Sequence, residues 1–282
     1  MLNPLSWDSF SIGEPLESMV HVSDEATLQP AQQQNPDLDE LGRRASDGKA
    51  TPKLGLVIPA LREAGNLPIL LDRIRQSLDP LGIRYELMVV DDDSRDGTEE
   101  IVGEIARADA RVRLLTRIGQ RGLAGAVVHG WRNTDAEVLG VMDADLQHPP
   151  EMLPRLWSAL QAGADVVVGS RYAPQGTLHN WSRSRHLISQ ISIWITLPLQ
   201  RQGIRVKDPM AGFFLVRRSC IEGLDFQPHG FKILLEVLVR GRIRSVTEVP
   251  FDFGHRNQGA SKAGLRVAID YLILLGKLWW KR

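Results

Sequence analysis

Two short acidic clusters hold most of the side chains able to do chemistry. The first is Val90-Asp91-Asp92-Asp93-Ser94-Arg95-Asp96-Gly97-Thr98, four carboxylates within six positions. A turn capped by Asp and Ser accounts for one or two of them. Like charges this close stay ionised only where a cation or hydrogen-bond donors meet them, so the loop is a candidate ligand site. The second cluster is Met142-Asp143-Ala144-Asp145-Leu146-Gln147-His148-Pro149-Pro150-Glu151. In an extended or turning segment Asp143 and Asp145 can point the same way and offer hard oxygens to Mg²⁺ or Mn²⁺. Gln147 adds a neutral oxygen, and a diphosphate could complete the shell. A bare Asp-x-Asp is common by chance; its meaning depends on where the fold puts it. His148 reads as a structural or turn residue.

Cations follow in the distal half. Arg171 lies in Gly169-Ser-Arg-Tyr172, Arg183, Arg185 and Ser189 fall on an expected helix, and Arg185 and Ser189 share a face at i,i+4. A solvated helix end accounts for the latter group equally well. Lys232, Arg256 and Lys262 stand in expected loops. Guanidinium forks bind phosphate bidentately and stay charged, which suits a dianionic acceptor better than a neutral hydroxyl. Asp208 opens Lys207-Asp-Pro-Met-Ala-Gly-Phe213 and reads either as a turn residue or as part of the acceptor side.

These residues need elements to position them. Apolar runs at Leu54–Ile58, Tyr85–Val90, Val112–Leu115, Val138–Met142 and Val166–Val168 read as buried strands. The stretches 66–79, 97–109, 122–134 and 150–162 read as helices. Strand and helix alternating at this spacing predict an α/β fold with a mostly parallel central sheet and helices on both faces. Ligands of such sheets sit at the carboxyl ends of strands. The acidic clusters follow the second and fourth strands, Arg171 follows the fifth, and Pro59-Ala-Leu-Arg-Glu63 follows the first. No Gly-x-Gly-x-x-Gly and no Gly-Lys-Ser loop occurs, which excludes a dinucleotide fingerprint and a P-loop.

Composition bounds the rest. The 282 residues carry 34 basic and 34 acidic side chains and one cysteine, Cys220. That excludes an internal disulfide framework and a Cys-based zinc site, and a zero net charge argues against a nucleic-acid partner. The zero is a sum of opposites. Residues 1–50 hold 9 acids and 3 bases, 51–160 hold 17 and 13, and 161–282 hold 8 and 18. Residues 1–50 lack a sustained apolar period and read as a disordered acidic tail without a signal peptide, in which Leu16–Val22 could form a short docking element. No stretch reaches the roughly 20 apolar residues of a spanning helix. Residues 263–282 read instead as an amphipathic membrane-interface helix ending Trp279-Trp280-Lys281-Arg282, with a core-packed helix as the other reading. A second apolar helix, Leu187–Leu199 with Trp194, could dip towards the bilayer.

Val57-Ile-Pro-Ala-Leu-Arg-Glu63, the Asp91–Thr98 loop, Asp143-Ala-Asp-Leu-Gln-His-Pro-Pro-Glu151 and Gly169-Ser-Arg-Tyr172 together resemble glycosyltransferase family 2. The likeness is nearest to its polyprenol-phosphate (dolichyl-phosphate) mannosyltransferases and runs from about Leu54 to Lys262. It implies a GT-A nucleotide-diphospho-sugar transferase domain over 51–262, and inverting transfer of mannose from GDP-mannose to a polyprenol phosphate. It implies that Pro59, Glu63, Asp91, Asp92 and Ala144 line the nucleotide-sugar pocket and that Asp143, Asp145 and Gln147 hold Mg²⁺ or Mn²⁺. Arg171, Arg185, Ser189 and Lys232 would grip the acceptor phosphate, and Arg256 and Lys262 the donor phosphates; Asp143, Asp145 and Arg185 would carry catalysis. The implied setting is peripheral, on the cytoplasmic face of a membrane, alone or docked on a small membrane subunit. Leu61, Arg62 and Asp93 depart from the family's usual aromatic, Asn, and Gly or Asn, which leaves a UDP-sugar such as UDP-glucose as the alternative donor. A non-catalytic nucleotide-sugar sensor is the rival from another class.

Overall fold

The computed structural model describes residues 51–172, 193–201, 203–226 and 233–252, together with 273, 275, 276 and 279. The expected acidic tail, residues 1–50, and most of the expected interfacial helix, residues 263–282, lie outside the described residues.

Each apolar run becomes a strand because its alternate side chains find cover on opposite faces. The strands are β1 (Leu54–Ala60), β2 (Tyr85–Asp91), β3 (Val112–Thr116), β4 (Val138–Val141), β5 (Val166–Ser170), β6 (Phe214–Arg217) and β7 (Val246–Pro250). They form one seven-stranded sheet in the order β3-β2-β1-β4-β6-β5-β7. β1 runs parallel to β2 and β4, β2 to β3, and β5 to β7, while β6 is antiparallel to both its neighbours. The expected mostly parallel sheet is therefore present, with β6 and β7 added by a region whose short runs carry no clear period.

The helices are α1 (Leu67–Leu78), α2 (Thr98–Ala108), α3 (Leu123–Arg132), α4 (Leu153–Gln161), α5 (Arg218–Ile221) and α6 (Ile233–Arg240). Their apolar stripes sort the sheet into two cores. Leu54, Leu56 and Ile58 of β1 with Leu87 and Val89 of β2 bury against Leu70, Leu71 and Ile74 of α1 and Leu156 and Leu160 of α4. The intervening Val57, Met88 and Val90 bury against Val127 and Trp131 of α3 and share their cluster with Val237 and Leu238 of α6. A strand covered on both faces is continuously apolar, and that is how these strands read. Gly130 lets α3 come this close: a Cβ there would sit 2.6 Å from a Val57 methyl.

Element ends follow local chemistry. The expected helix 150–162 opens as a 3₁₀ turn, Pro150–Met152, before α4, because Pro154 has no N–H to bond the Pro150 carbonyl as an α-helix starting there would need. In α4 it sits in the first turn, where that N–H has no partner anyway. Pro59 stands in a central strand, yet β1 is paired with β4 only as far as Val57↔Val141, so it lies past the end of that ladder. Near the carboxyl terminus Leu275 joins Leu199, Leu235 and Val239 in a third small core. Trp279 and Ile273, and Trp194 and Ile195 beside Thr196, remain exposed. Of the expected helix 187–199, residues 193–196 are helical and 197–199 form a turn, with 187–192 outside the described residues.

Candidate functional site

The loops after β1 and β2 fasten to one another. Ser94 Oγ accepts the Arg62 N–H at 2.8 Å, and the Asp96 carboxylate accepts the Ala64 N–H at 3.2 Å. Glu63 turns the first loop into α1: its carbonyl accepts from Asn66 and Leu67, and its carboxylate accepts the Asn66 side-chain amide at 2.7 Å. The four acids of the second loop meet internal donors. Asp91 accepts from the Ser94 N–H at 2.9 Å and from its hydroxyl. Asp92, buried, receives Arg117 Nε at 2.7 Å and Nη2 at 3.1 Å, and also the Gly122 N–H at 2.8 Å. Asp93 pairs with Arg95, whose hydrogen bonds hold its carboxyl below the usual range. Asp96 receives the Thr98 N–H and hydroxyl at the start of α2; burial opposes ionisation, but those bonds win and its pKa is lowered. The crowding of charge that marks this loop in the sequence is thus met by the protein's own donors. A cleft of about 370 Å³ opens beside it, walled by four acids, Asp91, Asp93, Glu99 and Glu100, against one cation, Arg95, with Ser94 and Gly97 between them. So many carboxylates repel a diphosphate and suit the hydroxyl and amino donors of a ribose or base.

The Asp143–Glu151 loop begins where β4 ends. Leu146 takes a left-handed φ of 63°, which bends the chain between Asp145 and Gln147. Asp145 is buried and its Oδ1 accepts the Gln147 N–H at 3.2 Å. His148 is buried, its ring 5.4 Å from Phe213 and 5.7 Å from Phe251 between centroids. Burial outweighs the neighbouring carboxylates and lowers its pKa to about 4, so the imidazole is neutral at pH 7. Its Nδ1 accepts the Asp143 N–H at 3.4 Å. His148 is the structural residue the sequence leads one to expect.

The Asp143 carboxylate lies against Gly212, where a Cβ would come within 2.5 Å of Oδ2. Hard oxygens from Asp143, Asp145 and Gln147 on one short loop, with room kept for one of them by a glycine, fit a Mg²⁺ or Mn²⁺ ion. Among the described residues no three His, Cys, Asp or Glu side chains cluster as a ready-made cage. The loop would hold a metal only together with ligand oxygens, as Mg²⁺ sites on substrate phosphates commonly do.

Arg171, at the end of β5, is tied to Asp208. Nε and Nη2 reach the two carboxylate oxygens at 2.7 and 2.8 Å, and the Arg171 N–H reaches Oδ2 at 3.2 Å. Asp208 is fully buried. Burial works against the Arg171 cation, but the bonds and charge of Asp208 and the charge of Asp143 overcome this and raise its pKa. Asp143, Asp145, His148, Arg171 and Asp208 thus share one electrostatic neighbourhood. Glu248 on β7 accepts the Lys207 and Asp208 N–H groups at 3.0 and 3.2 Å.

The structure therefore gathers Pro59, Glu63, Asp91 and Asp92 at the first two strand ends, and Asp143, Ala144, Asp145, Gln147 and Arg171 at the fourth and fifth. Arg185, Ser189, Lys232, Arg256 and Lys262 lie outside the described residues. Sequence reading alone passes over Arg117, Gly212 and Glu248. Arg117 follows β3 with nothing local to mark it, and Glu248 belongs to an unrecognised strand; only Gly212, inside Asp208-Pro-Met-Ala-Gly-Phe213, stands in a motif that draws notice.

A parallel α/β sheet with acidic loops at its strand ends and an antiparallel β6 defines a GT-A-type transferase fold. A solved structure of glucosyl-3-phosphoglycerate synthase from Mycobacterium tuberculosis, in complex with Mn²⁺ and UDP-glucose, shares it: TM-score 0.60, 19% identity, 86% of this chain and 82% of that one. Residues 56–224 match glycosyl transferase family 2, and the chain belongs to that family. Among relatives, a dolichol-phosphate mannosyltransferase of Pyrococcus furiosus is 42% identical over 223 residues. The match covers 78% of this chain but only 62% of that protein's length. One of Mycosarcoma maydis is 37% identical over 240 residues, covering 82% of this chain and 80% of that one.

Proposed function

We propose that this glycosyltransferase moves mannose from GDP-mannose to a polyprenol (dolichyl) phosphate, inverting the anomeric centre, with Mg²⁺ or Mn²⁺ bound. The observation that carries the reading is the Asp143–Gln147 loop at the end of β4, in the same electrostatic neighbourhood as a buried, permanently charged arginine. Carboxylates suit the donor's metal-bound diphosphate, and the guanidinium suits a phosphate nucleophile. Relatives named dolichol-phosphate mannosyltransferase support the choice of sugar and carrier.

In this reading Asp143, Asp145 and Gln147 hold the metal. When bound, that ion neutralises charge building on the departing diphosphate. The acceptor phosphate is already ionised near pH 7, so no side chain need remove a proton to make the nucleophile. An acceptor phosphate oxygen forms a bond to the anomeric carbon as the bond to the donor diphosphate oxygen breaks, and the electron pair leaves on GDP. Arg171 aligns the acceptor and Asp91 orients the nucleoside, so the protein's work is positioning and charge stabilisation. Arg185, Ser189 and Lys232 are assigned to the acceptor phosphate, and Arg256 and Lys262 to the donor. No helix among the described residues is long and apolar enough to cross a membrane. Attachment through the exposed Trp194 and Trp279 fits that observation.

The test supplies polyprenyl phosphate in vesicles, Mg²⁺ or Mn²⁺, and labelled GDP-mannose, UDP-glucose or UDP-N-acetylglucosamine. Lipid-soluble label from GDP-mannose alone is expected, and label from a UDP-sugar alone would reassign the donor. No lipid product from any donor would leave a nucleotide-sugar sensor. Asp143→Ala and Asp145→Ala should each cut transfer by roughly 100-fold or more, the scale of losing several kcal/mol of charge stabilisation.

A further inference from the structure

The turn Lys207–Phe213 touches both halves of the site. At one end Asp208 receives three N–H groups of Arg171. Two of them belong to the guanidinium fork, so the pair fixes its plane and direction as well as its place. Four residues on, Gly212 is packed against the Asp143 carboxylate, where a Cβ would lie 2.5 Å from Oδ2 and 2.9 Å from Cγ and Oδ1. Its φ is outside the left-handed region, so the glycine is required by space and not by backbone conformation.

The turn is itself held from several sides. Glu248, which faces Val168 across the β5–β7 ladder, accepts from the N–H groups of 207 and 208. The Ala211 N–H closes back on the Asp208 carbonyl at 3.2 Å. The Phe213 carbonyl accepts the Gly169 N–H at 2.9 Å, and its ring lies against His148. A segment this restrained cannot move Asp208 independently of Gly212.

We infer that the Lys207–Phe213 turn is a positioning element of the transfer reaction, in which Asp208 aims Arg171 and Gly212 places the Asp143 carboxylate. One short turn then sets the spacing between the acceptor's guanidinium and the donor's carboxylate. An in-line displacement is sensitive to that spacing, because reacting atoms must approach within about 3–3.5 Å on one axis. This inference rests on the roles proposed above for Arg171 and Asp143.

The full chain is tested as Asp208→Asn, Gly212→Ala, Arg171→Lys and the Asp208→Asn/Arg171→Lys double variant. Two quantities are read: Mn²⁺ affinity at saturating GDP, whose diphosphate supplies the remaining oxygens, from the electron paramagnetic resonance of Mn²⁺, and the KM for polyprenyl phosphate at saturating metal. Asp208→Asn should raise the acceptor KM by roughly 10-fold or more, the scale seen for residues that orient ligating groups, and leave Mn²⁺ affinity unchanged. Gly212→Ala should weaken Mn²⁺ binding on a similar scale. The double variant should be no worse than Arg171→Lys, because Asp208 acts through Arg171. If Asp208→Asn does not fold, Glu248→Gln, which loses one of its two N–H acceptors, carries the same test in the same direction. Unshifted values in wild-type-like variants overturn the inference, and so does a loss of both affinities in every variant, which marks a merely structural turn. A wild type that neither transfers to nor binds polyprenyl phosphate overturns the functional reading instead.

Discussion

Replacing Asp92 by Ala separates two roles for a buried acid in the loop after β2, strut and proposed nucleotide ligand. Its carboxylate binds Arg117 through two nitrogens, both side chains being 5% exposed, and it also accepts the Gly122 N–H that leads into α3. Removing one partner of a buried pair costs about 3–5 kcal/mol, because the other charge stays behind without compensation. At about 2–4 °C per kcal/mol for a domain of this size, Tm should fall by roughly 6–20 °C. Urea unfolding followed by the fluorescence of the tryptophans, including buried Trp131, measures the loss. Calorimetric titration of the nucleotide sugar measures binding on the same samples. The double variant Asp92→Leu/Arg117→Met removes both charges and should recover much of the deficit, since apolar replacements of buried pairs are often neutral or better. If Asp92→Ala changes stability by less than about 1 kcal/mol while donor affinity collapses, the carboxylate is a ligand and not a strut, and the reasoning from its buried pairing fails.

Two further outcomes follow from particular contacts. His148 has a folded pKa of about 4 against 6.5 for an ordinary imidazole, so between those values the unfolded chain binds more protons. Stability measured in chelator should therefore be complete above pH 6.5 and fall towards pH 4 by on the order of 3 kcal/mol, and a His148→Gln variant with the same slope would exclude this group as its source. Gly130→Ala should cost about 1–3 kcal/mol by forcing α3 off Val57, measured as a lower urea midpoint at unchanged slope.

The four acids from Asp91 to Asp96 show where reading a sequence stops. Their crowding correctly requires donors, but the primary structure cannot say whose. Arg117, Arg95, Ser94 and Thr98 supply them from within the protein, so the loop is a built scaffold beside a cleft. The same holds for Asp208, which reads as a turn residue until the sheet brings Arg171 onto it across 37 positions.

Much else is legible from the chain alone. Continuous apolar runs separated by amphipathic stretches determine the parallel core from β1 to β5, because a strand covered on both faces cannot be polar on either. The order of motifs along those strand ends determines the family and puts the candidate metal carboxylates on one loop. What tertiary structure decides is pairing: which carboxylate meets which guanidinium, which glycine makes room for Asp143, and how β6 and β7 close the sheet. These depend on contacts between residues distant in sequence, set by packing and buried charge, to which local periodicity is blind.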